Sequence, residues 1–196
     1  PAPLPFSRAA AVSAGAAGTA LGGRGPAIHR TVTIPAIAAA SPDPTLKATA
    51  GDVVKAAVLL FLERAGADPA VGIPVSGRHH PELLDVVGYL GNTLPVTVDH
   101  AGDAAVSFSH DLDTRKLIEA VHHEVLDVAE HSSIPIEELS GTAPFQVIVD
   151  HRVGAPQVPV TADWSSELLP VVPPLPKFPV TIVHTELPEV DGITTH

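Results

Sequence analysis

Residues 71–75, Val71-Gly72-Ile73-Pro74-Val75, form a continuous apolar run that stops at a turn signal, Gly77. A strand that is apolar without alternation fits a sheet covered on both faces, so this segment asks for layers above and below it. A helix to supply one layer stands just upstream. Thr49 and Asp52 have the spacing of a capping box and precede an apolar stretch reaching about Arg64. That stretch is apolar nearly all round, which predicts burial on several sides. Further along, the pattern predicts a short helix over 81–89, a strand over 93–98, a turn over 99–103 and a possible return strand over 105–108. Asp113 or Thr114 can cap a helix running to His131, with Leu117, Val121, Val125 and Val128 on one face. Strands over 145–149 and 180–183 complete the set. Strands alternating with helices argue for a layered α/β fold.

The 196 residues suffice for one ordinary domain, or for a lobe of a larger one with a tail. A chain of this length removes roughly 70% of its unfolded surface from water. Hydrophobic residues are 45% of the chain but aromatics only 4%, so Val, Leu, Ile and Ala must build the core. Acidic residues outnumber basic ones 22 to 11, and no basic run is present, which argues against a nucleic-acid partner. The absence of cysteine excludes disulfides, thiolate metal sites and cysteine nucleophiles. The longest apolar run, 53–62, is broken by Lys55, so no membrane span is expected and a cytoplasmic location is the default. Methionine is missing even at position 1, which leads us to expect a chain that was trimmed, cleaved or excised.

Residues 1–28 are mostly Ala, Gly, Ser and Pro and read as a flexible linker. Structured sequence is expected from 29 to 196, opening with a short strand over 31–34 that Pro42 and Pro44 soon interrupt.

Three segments in fixed order carry a resemblance. The first is Val71-Gly72-Ile73-Pro74-Val75-Ser76-Gly77-Arg78, then His80-Pro81-Glu82-Leu83, then Val87-Gly88-Tyr89-Leu90-Gly91-Asn92-Thr93-Leu94-Pro95. The second is His131-Ser132-Ser133-Ile134-Pro135-Ile136-Glu137-Glu138-Leu139, and the third Pro144-Phe145-Gln146-Val147. Together they resemble the condensation domains of nonribosomal peptide synthetases, whose patterns run "VGTPVAGR…PEL…IGFFVNTLPLR", "HQDLPFEKL" and "NPLFQV". The resemblance covers about residues 29–193, with Lys177-Phe178 matching a "KFDL" element. Departures stand at Thr97 for an arginine, Ser132-Ser133 for "QD", Ile136-Glu137 for "FE" and Pro179 for an aspartate.

The resemblance implies the C-terminal half of such a domain: an α/β, chloramphenicol-acetyltransferase-like lobe with a layered mixed sheet and helices. It implies a tunnel between two lobes, and amide formation between aminoacyl or peptidyl thioesters. The family's His-His-x-x-x-Asp-Gly motif belongs to the N-terminal lobe, so no catalytic residue is expected in this chain. Its implied partners are that lobe, peptidyl or acyl carrier proteins and neighbouring synthetase domains. No cofactor is expected to bind directly; phosphopantetheine would arrive on the carrier proteins. A lobe alone should expose an apolar patch where its partner belongs. Two alternatives stay open, a condensation-like recruitment module without catalysis and a lobe of a related ester-forming acyltransferase.

Arg78, Asn92, Thr93 and Gln146 form the implied substrate-binding set. The family pattern brings Asn92-Thr93 to the tunnel, where an Asn can both donate and accept; alternatively, Asn92 only closes the turn after Gly91. Gln146, inside an apolar strand, needs a buried partner. Trp164 is expected to cap the lobe's surface.

His122-His123-Glu124-Val125-Leu126-Asp127-Val128 reads HHxxxDV, one letter from the catalytic motif. It lies within an amphipathic helix, so the expectation is a solvated face. His123, Asp127 and His131 can pair there for a few tenths of a kcal/mol. His122→Ala and His123→Ala are each expected to cost no more than about 0.5 kcal/mol. His79-His80 has the wrong spacing to Asp85 and suits a loop. Among eleven histidines no HExxH and no compact His/carboxylate triad is visible, so no functional metal is expected.

Overall fold

The computed structural model of the chain describes residues 28, 30–32, 47–78, 80–98, 113–139, 145–154 and 178–186. The predicted linker, the return strand over 105–108 and Trp164 lie outside these, apart from the exposed Ile28. Thr31 and Val32 are exposed and belong to no strand.

Helix α1 spans Ala50–Arg64 and begins as its capping box dictates. The Thr49 hydroxyl accepts from the Asp52 N–H at 3.2 Å, and the Asp52 carboxylate accepts from the Thr49 N–H at 2.9 Å. The helix ends at Gly66, whose φ of 73° lets the Ala67 N–H turn back to the Leu62 carbonyl at 2.9 Å. Its burial is narrower than the sequence suggests. Ala56, Leu59 and Leu62 are buried, but Phe61 is 57% exposed, because sheet and second helix cover only part of the circumference.

Strand β1 (Ala70–Val75) pairs antiparallel with β2 (Asn92–Thr97), Ala70 facing Thr97 and Val75 facing Asn92. Strand β3 (Val147–Val153) lies parallel to β1, and β4 (Val180–Glu186) parallel to β3, giving the order β2-β1-β3-β4. The result is a mixed sheet with helices, the α/β arrangement the patterning called for.

Helix α2 (Thr114–Glu130) is N-capped by Asp113, whose side chain accepts from Arg115 and Lys116 N–H groups. Leu117 and Val121 are buried, with Val125 and Val128 packed beside them. They join Leu59 and Leu62 of α1 against Val71, Ile73, Leu94, Val96, Val147 and Val149 on one face of the sheet. On the other face, Phe145 and Ile148 pack with Ala70 and meet Phe178 and Ile136. Gly72 makes that second layer possible, since a Cβ there would collide with the Phe145 ring and Ile148. Both faces of β1 are thus covered, as its unbroken apolar run requires.

A short helix α3 (Ile136–Leu139) follows α2. The helix predicted over 81–89 is reduced to a single 3-10 turn, Pro81–Leu83. Arg78 explains the rest: its guanidinium takes the carbonyls of Val86 (3.1 Å) and Gly88 (3.0 Å), which a continuing helix would keep within itself. Strand β3 runs past Val149 through Asp150, His151 and Arg152 to Val153, and β4 past Val183 to Glu186, residues held by strand pairing rather than by a continuous apolar run.

Candidate functional site

Asn92 opens β2 opposite Val75, and its side chain is fully occupied by backbone. Its Nδ2 donates to the carbonyls of Ser132 (2.9 Å) and Ile134 (2.7 Å). Its Oδ1 accepts from the N–H groups of Thr93 (2.8 Å) and Ile136 (3.3 Å). Two donors and two acceptor positions are all a primary amide has, so Asn92 locks β2 to the segment between α2 and α3. Arg78 likewise serves backbone, tying residues 76–88 into one loop. That loop holds Leu84, Val86 and Val87 out to solvent, with Val87 fully exposed, and Tyr89 beside it is exposed too.

Arg78, Asn92 and Thr93 gather at one end of the sheet, the carboxyl end of β1. Gln146 precedes β3, which runs parallel to β1 with Val147 beside Val71, so it sits at the opposite end. Five rungs separate it from Asn92, about 16 Å at strand rise. Gln146 also stands just outside β3 rather than within a strand, and is half-buried.

The HHxxxDV helix divides. His123 is exposed, as expected. His131 Nδ1 meets the Asp127 backbone carbonyl at 3.1 Å, so this contact does not use the carboxylate. His122 departs from the solvated-face reading: its Nδ1 lies 2.9 Å from the Oδ2 of Asp52 on α1, with the imidazole only 20% exposed. Asp52 itself is 2% exposed and also accepts from Lys55 Nζ at 3.2 Å, a lysine 7% exposed. Burial pushes the Asp52 carboxyl up. The Thr49 N–H, His122, the Lys55 charge and the Thr49 hydroxyl outweigh it and hold the group below its ordinary value. An ionised carboxylate only accepts, so His122 donates through Nδ1.

A second cluster lies at the carboxyl ends of β3 and β4. His151 pairs in register with His184, and Glu186 follows two residues on, which puts all three on the helix-facing side of the sheet. The two Nδ1 atoms are 2.9 Å apart and the rings stack with centroids at 5.0 Å. His151 Nε2 lies 3.7 Å from the Glu186 carboxylate. The His151 ring fits against Gly51 at the start of α1, where a Cβ would come within 2.7 Å of it. Burial lowers the His151 pKa, with the Glu186 charge working against that shift. Local spacing could not show this cluster, because His151 and His184 are 33 residues apart and meet only through parallel pairing.

Residues 45–152 match the Condensation domain family, so the chain belongs to the condensation-domain family. That match runs from just before α1 through most of β3. Among curated proteins, surfactin synthase subunit 2 of Bacillus subtilis is 34% identical over 88 residues, 45% of this chain and 2% of that protein. Isonitrile lipopeptide synthase of Mycobacterium tuberculosis is 30% identical over 120 residues, 60% of this chain and 4% of that protein. The chain thus spans a few per cent of the length of these relatives. Similar solved structures include the first condensation domain of the CDA synthetase, 24% identical with a TM-score of 0.39, covering 52% of this chain and 22% of that one. Another is the X-domain from teicoplanin biosynthesis, 21% identical with a TM-score of 0.44, covering 55% and 25%. Among the described residues no helix is long and apolar enough to cross a membrane.

Proposed function

We propose that this chain is the C-terminal lobe of a peptide-synthetase condensation domain and works only when joined to a lobe carrying His-His-x-x-x-Asp-Gly. The family match over residues 45–152 carries the reading. The exposed run of Leu84, Val86, Val87 and Tyr89 supports it, because such side chains ask for a covering surface. In the proposed reaction an acceptor amine attacks the donor thioester carbonyl. The C–N bond forms, the C–S bond breaks, and the phosphopantetheine thiol leaves with the proton. Donor and acceptor arrive on carrier proteins. The base that takes the amine proton belongs to the other lobe. In this lobe Arg78 and Asn92 shape the wall by fixing the 76–88 loop and the start of β2, and Thr93 and Gln146 are candidates for contact with substrate.

The test combines this chain, a folded N-terminal lobe and two loaded carrier proteins, with the amide product followed by mass spectrometry. Product is expected from the full mixture and from neither lobe alone. Product from this chain alone, or none from two folded, associated lobes, would overturn the proposal.

A further inference from the structure

We propose that His151, His184 and Glu186 bind one divalent transition-metal ion of the zinc type, at the carboxyl ends of β3 and β4. Among the described residues this is the group of His and carboxylate side chains whose donor atoms all lie within 4.8 Å of one another. A tetrahedral zinc ion with ligands at about 2.0–2.2 Å separates its donors by roughly 3.3–3.5 Å. One imidazole gives an ion one nitrogen, so His151 serves either through Nδ1, 2.9 Å from His184 Nδ1, or through Nε2, 3.7 Å from the Glu186 carboxylate. One donor from each of the three residues lies within 4.8 Å of the others. Loading would therefore turn the rings from their present stacked contact to close these separations onto one ion.

The chemistry of the set selects the ion. Two imidazoles and one carboxylate suit zinc and its first-row neighbours, whereas magnesium and calcium prefer all-oxygen shells. Three protein ligands leave a fourth position for water or an incoming group. The surroundings are compatible with a cation. Lys55 is the positive group near His151, and its ammonium is already paired with Asp52. The His151 and Glu186 side chains are 16% and 34% exposed, so an ion has a path from solvent to a shielded position. The scaffold is rigid where it matters, since the two histidines are register partners on paired strands. In open α/β sheets the carboxyl ends of parallel strands are where ligands gather. A metal here would fasten β4 to β3, and this goes beyond the condensation reading, which involves no metal.

The experiment is calorimetric titration of zinc into the full 196-residue chain carrying no added histidine tag, paired with thermal unfolding in zinc and in EDTA. We expect one zinc per chain, a higher Tm in zinc than in EDTA, and a cobalt-substituted form with the absorption of a tetrahedral ion. His184→Ala and Glu186→Gln should each weaken binding about 100-fold or more, above the 10–100-fold typical of losing an outer-shell partner. Glu186→Gln changes no volume and keeps the proposal testable if His184→Ala fails to fold. His123→Ala, on the exposed face of α2, should leave stoichiometry and affinity unchanged. Absence of stoichiometric binding by the wild-type chain would overturn the proposal. So would unaltered binding in Glu186→Gln and His184→Ala, which would assign the ion to other histidines.

Discussion

Replacing Asp52 by Ala is expected to destabilise the chain by about 3–5 kcal/mol, far more than loss of a helix cap alone. The magnitude follows from what the carboxylate holds. It receives the Thr49 N–H and hydroxyl and His122 Nδ1, each at 2.9 Å, and Lys55 Nζ at 3.2 Å. The cap is worth about 1 kcal/mol. The larger cost is the Lys55 ammonium, which would stay 7% exposed with its close counter-charge removed. His122→Ala should cost about 1.5 kcal/mol, the low end for a hydrogen bond to a charged group, because three donors to Asp52 remain. If the stranded charge dominates, Lys55→Met in the Asp52→Ala background should recover at least half of the loss. Urea unfolding followed by far-UV circular dichroism measures the wild type and all three variants. With a slope of about 1–3 kcal/mol per molar, a 3 kcal/mol loss moves the midpoint by roughly 1–3 M. A loss below about 1 kcal/mol for Asp52→Ala, or no recovery with Lys55→Met, would show that the buried ion pair is not what holds α1 in place.

Acid should act through the same carboxylate. Its pKa is lower folded than unfolded, so its stabilisation is complete above the unfolded value of about 3.9 and is lost as pH falls through the folded value. The urea midpoint of Asp52→Asn should therefore fall less steeply than that of the wild type below about pH 4. Gly72→Ala, which forces a methyl into Phe145 and Ile148, should cost about 1–3 kcal/mol. Gly77→Ala should cost a similar amount, because φ is 68° and the new Cβ meets the Leu90 carbonyl. Thermal unfolding reads both as Tm losses of about 2–4 °C per kcal/mol. Asn92→Asp should be worse than Asn92→Ala by about 1 kcal/mol or more, since it points a carboxylate at the Ser132 and Ile134 carbonyls. Equal urea midpoints for the two would show that the amide does not donate there.

What could be read from the chain was whatever apolar periodicity and capping encode. Thr49 and Asp52 placed the start of α1, and Leu117, Val121, Val125 and Val128 gave the buried face of α2. The misreadings have a common physical origin. The continuous apolar runs stop at Val149 and Val183, yet pairing carries β3 to Val153 and β4 to Glu186. His151, His184 and Glu186 occupy those polar extensions, so the cluster escaped for the same reason as the strand ends. A helical wheel puts His122 in solvent because it has no knowledge of Asp52, 70 residues earlier. The family pattern makes Arg78 and Asn92 substrate-binding candidates, but only the fold shows their side chains bonding to backbone.

The strand order also dictates how the chain must come together in time. Val75 and Asn92, partners across β1 and β2, are 17 positions apart (92 less 75), whereas Val71 and Val147, partners across β1 and β3, are 76 apart (147 less 71). Closing the longer loop costs about 1.3 kcal/mol more in chain entropy. The β1–β2 ribbon, with α1 docked on it, is thus the natural nucleus, and the parallel half of the sheet must condense onto it later. Kinetically, Val96→Ala should slow refolding, while Val149→Ala should chiefly speed unfolding. The reverse assignment from stopped-flow chevrons would refute this order. An edge strand that arrives last is also the first to leave, so β4 is where the native chain should open most readily to amide exchange.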